Sequence, residues 1–286
     1  MPRGHITLRR RLTNYFFTGL AASLSVLVVG VLVAILVYLV VRGAGSLNWA
    51  FFTQVPKPVG EAGGGMANAI VGSIIILALA TAMGVPIGIG AGVYLAEYGR
   101  GGRLGNVVRF TADTLNGVPS IVIGLVAYGL VALPQRHFSA FSAGVALAIM
   151  MIPTVTRTTE EMLLLVPQSV REAAFGLGLP QWRTTISITL ATARAGIITG
   201  VMLAFARVAG ETAPLLLTAL GNQFWNFNPS QPMAALPLQI FTYAIAPFDE
   251  WHRLAWAGAL VLVGMIVGTT TLVRFVFLRR MLGEAR

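Results

Sequence analysis

The chain contains no cysteine and a single lysine, Lys57. The first absence excludes a disulfide framework and any thiolate-bound metal. The second excludes a P-loop: Lys57 follows Pro56, outside any G-x-x-x-x-G-K-[ST], so the chain has no Walker-type cradle for ATP. G-x-G-x-x-G, G-x-S-x-G and H-E-x-x-H are missing as well. The three histidines, His5, His137 and His252, stand far apart in sequence near the edges of apolar runs. They read as interfacial residues, and no metal, cofactor or catalytic residue is implied. Charge is also scarce. Only 10% of the 286 residues are charged and 56% are hydrophobic, with a mean hydropathy of +0.78. A soluble domain carries roughly 25% charged residues, so the shortfall places the chain in a bilayer. The net charge of +10 could suggest nucleic acid, but the arginines gather at the ends of apolar runs and argue against it.

Those apolar runs are the main feature of the sequence. Residues 16–41, 68–96, 114–135, 138–156 and 254–273 are free of charge, and 195–220 is interrupted only by Arg207 and Glu211. Hydrocarbon offers no partner to an unpaired peptide group, so these are helices, and the fold class is an all-α polytopic bundle of six spans. The first run is too long for a cleaved signal peptide and reads as a retained span. Six spans put both termini on one side. That side holds Arg3, Arg9, Arg10, Arg11, Arg100, Arg103, Arg109, Arg157, Arg171, Arg183, Arg194, Arg274, Arg279, Arg280 and Arg286, against Arg42, Lys57, Arg136 and Arg253 on the other. The positive-inside rule makes the arginine-rich side cytoplasmic. The expected organisation is a cytoplasmic segment 1–15, a first helix and outer loop 16–67, a core 68–278 with a cytoplasmic loop at 157–194, and a cytoplasmic tail 279–286.

Within the core, "GVPIGIGAG" spaces Gly84, Gly88 and Gly92 four apart, which suits close helix crossing rather than ligand binding. Pro86 should bend that helix. An apolar stretch at 234–247 is too short to span and should lie in the interface or re-enter. In the cytoplasmic loop, Ser169 with Glu172 forms a capping-box pattern that predicts a short helix from Ser169, stopped by Gly176, Gly178 and Pro180. Thr158 with Glu161 forms a second such pattern. The helix should expose Val170, Phe175 and Leu177 either to the groove of a partner protein or to the lipid surface, and capping alone does not decide between them.

The same loop carries a family signature. "EAAFGLG" followed by "ISITLA" resembles the EAA motif of binding-protein-dependent ABC importer permeases, with Glu172, Ala173, Ala174, Gly178, Ile188 and Leu190 in the motif positions. The motif's final proline is Ala191 here, which weakens the bend expected before the fifth span. From about residue 68 onward, "MIPTVTRTTEEMLLLVP", "AFARVAGETAPLLLTALGNQFW" and "PFDEWHRLAWAGALVL" are similar to the A-type permeases of bacterial phosphate-specific transport systems. The resemblance implies a type I ABC importer permease in the bacterial inner membrane that passes inorganic phosphate to the cytoplasm. It also implies a C-type permease partner, two separate ATPase subunits and a phosphate-binding protein outside. The loop residues Ser169, Glu172, Ala173, Ala174 and Gly178 would then form the helix that docks on an ATPase subunit. Rival readings are a permease for another anion or nutrient, and a stand-alone secondary transporter. The second lacks support, because the EAA segment and the Arg–Glu pair occur once each.

Arg207 and Glu211, four apart, are expected to share a helix face and pair. A bare charge at mid-membrane costs about 2.5 to more than 10 kcal/mol. The pair could fix helix register against a partner, or line an anion path in which the planar, permanently charged guanidinium meets phosphate oxygens. In that second reading Glu211 offsets the positive field and accepts a hydrogen bond from a P–OH group. Arg157 is expected to end the fourth span, as an anchor or as an exit-site contact; Asp113 beside Arg109 reads as a boundary residue.

Overall fold

The computed structural model describes residues 8–58, 61, 63–99 and 101–284, the side chains of 278–284 excepted. Arg3, His5, Arg100 and Arg286 lie outside the described residues, as does the first part of the 1–15 segment. Thirteen α-helical elements follow one another among the described residues: α1 (Leu8–Ala44), α2 (Trp49–Thr53), α3 (Ala67–Val93), α4 (Arg103–Gly117), α5 (Ser120–Ala127), α6 (Leu133–Gln135), α7 (Ala140–Leu164), α8 (Gln168–Gly176), α9 (Gln181–Thr184), α10 (Leu190–Ala209), α11 (Ala213–Thr218), α12 (Leu236–Ala244) and α13 (Asp249–Glu284). Three π-wound segments join them: Tyr94–Tyr98 after α3, Tyr128–Ala132 between α5 and α6, and Thr185–Thr189 before α10. Five helical runs are long and apolar enough to cross a membrane, and a bent pair supplies the sixth crossing.

The bent pair corrects the expected third span. Residues 114–117 belong to α4, and the chain turns by 110° before α5. Pro119 is the cause, since it forces the preceding Val118 out of the helical region, to ψ 132°. The amphipathic α4, with Arg103, Arg109 and Asp113, is therefore set at a steep angle to the apolar run Ser120–Gln135 that follows it. The fifth span is also displaced. It runs Gln181–Ala209, so its charged break falls near its end rather than in its middle.

The core crossing is α3 against α7. A Cβ on Gly84 would stand 3.1 Å from the Met151 Cβ, on Gly88 2.7 Å from the Val155 Cβ, and on Gly92 2.6 Å from the Thr159 Cβ. The four-residue glycine stripe is thus the contact surface itself, as its spacing predicts. α3 runs on through Pro86 as one helix. α10 meets α7 in the same way, Gly196 against Met162 and Gly200 against Thr158. α1 sits outside this core and packs along α13, where Gly43 rests on the Trp256 carbonyl and Tyr38 meets Trp256 edge-on at 5.3 Å.

The two ends of the bundle differ. At one end lie α2, the 221–235 loop and α12. Ala234 passes over Gly72, the Leu236 N–H bonds to the Ser73 hydroxyl at 2.7 Å, and Leu236 and Tyr243 are buried. The short apolar stretch packs one face on α3 and α13 and leaves Phe241 and Ile245 exposed. At the other end lie α4, α8 and α9.

Candidate functional site

Three charged groupings stand out, at different depths. The first is Arg207 with Glu211. α10 ends at Ala209, Gly210 closes it, and Glu211 lies beyond the helix before α11 begins at Ala213. The expected shared helix face does not exist. Among the described residues neither side chain makes a hydrogen bond or ion pair, so the predicted pair is not formed. Arg207 is exposed and Glu211 half-buried. The cavity beside the break is bordered by Ala235 and Pro237 at the loop–α12 end of the bundle, and there Val208, Ala209 and Leu215 meet Ser73, Ile76 and Leu77 of α3 and Leu147 of α7. These lie two to three turns inside the starts of α3 and α7, about 10 Å at 1.5 Å per residue. Broken backbone at that depth is tolerated only inside protein or beside a water-filled passage. An unpaired guanidinium facing lipid there would cost several kcal/mol.

The second grouping holds Arg157. α7 continues seven residues beyond it, to Leu164, so Arg157 does not end the span. The Thr158–Glu161 pattern is likewise inside the helix, with the Thr158 hydroxyl bonded to the Thr154 carbonyl at 2.9 Å. Arg157 Nε lies 2.9 Å from Asp113 Oδ1, and its Nη1 2.7 Å from Glu160 Oε2. Arg109 Nε lies 2.6 Å from the other Glu160 oxygen, and Arg109 also donates to the Leu95 carbonyl at 3.1 Å. The charges alternate as Asp113, Arg157, Glu160, Arg109 and sum to zero. Asp113, read from the sequence as a boundary residue beside Arg109, pairs with Arg157. Glu160, with its side chain 3% exposed, is the centre of the grouping and was not singled out from the sequence. Its signal was available, as an acidic residue three positions from Arg157 on the same helix.

The third grouping is the loop. α8 starts at Gln168 behind Pro167 with no side-chain cap, so Ser169 sits inside the first turn and the capping box is not made. The stop is as expected. Gly178 has φ +78°, its N–H bonds to Phe175 O at 2.9 Å, and the Leu179 N–H reaches Ala174 O at 3.2 Å. Those two bonds are a Schellman closure. Glu172 and Ala173 face outward and Ala174 is buried. Phe175 and Leu177 are exposed as expected, while Val170 packs on the core. Arg171 is only 4% exposed, inside an ion pair with Glu97 at 2.8 Å. With no proline at 191, the π-wound segment runs into α10 without a break.

Residues 84–281 match the family described as "Binding-protein-dependent transport system inner membrane component". The chain is similar to the phosphate transport system permease protein PstA of Yersinia pestis, 47% identical over 264 residues, covering 92% of this chain and 90% of that protein. The PstA of Xylella fastidiosa (strain Temecula1) is 43% identical over 282 residues, covering 96% of each chain, and PstA 1 of Mycobacterium tuberculosis (strain H37Rv) is 38% identical over 290, covering 96% of this chain and 92% of that protein. The similarity thus extends further toward the N-terminus than residue 68. In three dimensions the chain is similar to a chain from inward-facing MetNI methionine ABC transporter structures, with TM-score 0.61 and 16% identity, covering 74% of this chain and 95% of that one. The helical arrangement is that of the type I ABC importer permease fold. The chain belongs to the family of binding-protein-dependent transport system inner membrane components.

Proposed function

We propose that this chain is the phosphate-translocating permease subunit of an ATP-driven importer. Its termini, α4 and α8 lie on the cytoplasmic side, and α2 and α12 face outward. The observation that carries the reading is Arg207, an exposed guanidinium without a partner beside a break in the fifth span, about 10 Å inside the bundle. The identity of 43–47% to phosphate permeases over most of the chain supports the choice of anion. A C-type permease covers the Arg207 side, so that the passage lies between the two subunits. Arg207 meets the anion by its planar fork. Glu211 beyond the helix end accepts from the P–OH group and limits how tightly the anion is held.

Arg157 serves the same path nearer the cytoplasm, where Asp113 and Glu160 already balance its charge and leave an arriving anion only weakly held. Two ATPase subunits supply the energy, one of them docked on the exposed Phe175, Leu177, Glu172 and Ala173 face of α8, and an extracytoplasmic phosphate-binding protein delivers the substrate. Purification of the assembly followed by proteoliposome uptake tests this reading. Phosphate entry should require both ATP and the binding protein; uptake by this chain without an ATPase subunit would overturn it.

A further inference from the structure

Arg171 is an unusual residue for the docking face of a helix, because it points inward. Its guanidinium joins three elements. Nε and Nη2 reach Glu97 Oε1 at 3.2 and 2.8 Å, Nη1 donates to the Val166 carbonyl at 2.6 Å, and Nη2 to the Leu163 carbonyl at 2.7 Å. Leu163 lies in the last turn of α7 and Val166 two residues beyond its end, so Arg171 clasps the chain where that helix stops. Glu97 sits in the π-wound segment that ends the second span. Its backbone carbonyl also accepts from Gln181 Nε2 at 2.9 Å. One glutamate is therefore held from α8 and from α9, on both sides of the Gly178 stop.

A buried ion pair is a poor device for stability alone, since well-packed apolar residues commonly serve as well or better. What it does provide is a fixed geometry: a planar fork that α8 cannot leave without breaking several charge-assisted bonds. We propose that Arg171 and Glu97 are positioning residues that make α8 and the second span move as one body, so that a displacement of α8 is delivered to α3. This rests on the reading of α8 as the ATPase-docking helix.

The path onward is continuous. α3 meets α7 through the Gly84, Gly88 and Gly92 stripe, and Leu79 and Met83 of α3 seat in turn on Gly144 of α7, so the two helices are closely packed. Further along, Ile74, Leu77 and Thr81 of α3 line a groove of about 500 Å³ with Phe205 and Ala209 of α10. That groove, walled also by Leu262, Met265 and Ile266 of α13, adjoins the break at Arg207. The end of α3 held by Glu97 and the part beside Arg207 belong to the same helical run, Ala67–Tyr98. Both linked segments, Tyr94–Tyr98 and Thr185–Thr189, are π-wound, a form that marks adjustable or functional points in helices.

The test uses the whole assembly in proteoliposomes, with three readings: ATPase subunits retained on purification, ATP hydrolysed, and phosphate imported per ATP. Glu97→Gln should keep the subunits and hydrolyse ATP while phosphate imported per ATP falls about tenfold, the size of a typical coupling between sites. Arg171→Lys, which keeps the charge and loses the fork, should fall between. Glu97→Asp keeps the charge and supplies the same reading if Glu97→Gln fails to assemble. A residue that merely holds the fold together would lower the yield and leave the ratio of the surviving complexes at the parental value; that ratio in Glu97→Gln, or in Glu97→Asp where it stands in, overturns the proposal. Phe175→Asp/Leu177→Asp separates the two ideas. If it retains the ATPase subunits, the docking role of α8 is wrong whatever Glu97 does.

Discussion

Glu160 should be the most sensitive charged residue between α4 and α7. In Glu160→Gln the side chain keeps its volume and one acceptor, but both guanidinium groups are deprived of their shared anion. Two ion pairs break, one of 2.6 Å to Arg109 and one of 2.7 Å to Arg157. With charge centres about 4 Å apart and an effective dielectric constant near 20, each pair is worth about 4 kcal/mol before desolvation is counted. Burying the carboxylate opposes that by several kcal/mol, and breaking a buried pair costs about 3–5 kcal/mol in net terms. Arg109 and Arg157 are 26% and 31% exposed, so water recovers part of that cost, and about 2–4 kcal/mol remains. At about 2–4 °C per kcal/mol for a chain of this size, thermal unfolding of the purified assembly at fixed scan rate should drop on the order of 10 °C. Arg109→Ala with Glu160→Ala should destabilise by less than the sum of the single changes, because Asp113 then balances Arg157 alone. Unfolding of Glu160→Gln at the parental temperature would refute the reasoning.

Three further outcomes are expected. Gly88→Val places a side chain 2.7 Å from Val155 and should cost about 1–3 kcal/mol, seen as lower membrane abundance, whereas Gly90→Ala, which meets open space, should be neutral. Gly178→Val forces a β-branched residue to φ +78° at a cost of about 1–3 kcal/mol; the α8 stop should loosen and ATP-driven uptake fall with the permease pair still assembled, and normal uptake would show that the stop has no part in coupling. Glu211→Gln should change discrimination between phosphate and sulfate, measured by competition in uptake, and unchanged discrimination would take Glu211 off the path.

Membership of the bilayer, the helix content and the glycine crossing were legible because each follows from local composition or spacing. The Gly84, Gly88 and Gly92 stripe needed only its four-residue period to be read as a contact. The errors came where two signals overlapped. Ser169 with Glu172 satisfies the capping pattern, yet Pro167 starts α8 a residue earlier and leaves Ser169 inside the helix. Arg207 and Glu211 satisfy the i,i+4 rule, yet the rule presumes a helix that Gly210 ends. Residues 114–117 carry no charge and abut the apolar run, so the absence of charge could not separate the end of α4 from the span that Pro119 begins. Glu97 with Arg171 was not legible at all, since 74 residues of chain separate partners that only the fold brings together.

The central claim is that Arg207 contacts the transported anion and does not merely balance Glu211. The most direct measurement is ATP-driven phosphate uptake by Arg207→Gln/Glu211→Gln, at matched abundance and with ATP hydrolysis recorded beside it. The two side chains are not paired in the structure, so neutralising both should leave the assembly intact, hydrolysing ATP and unable to import phosphate, as for Arg207→Gln alone. Near-parental uptake by the double variant would contradict the account.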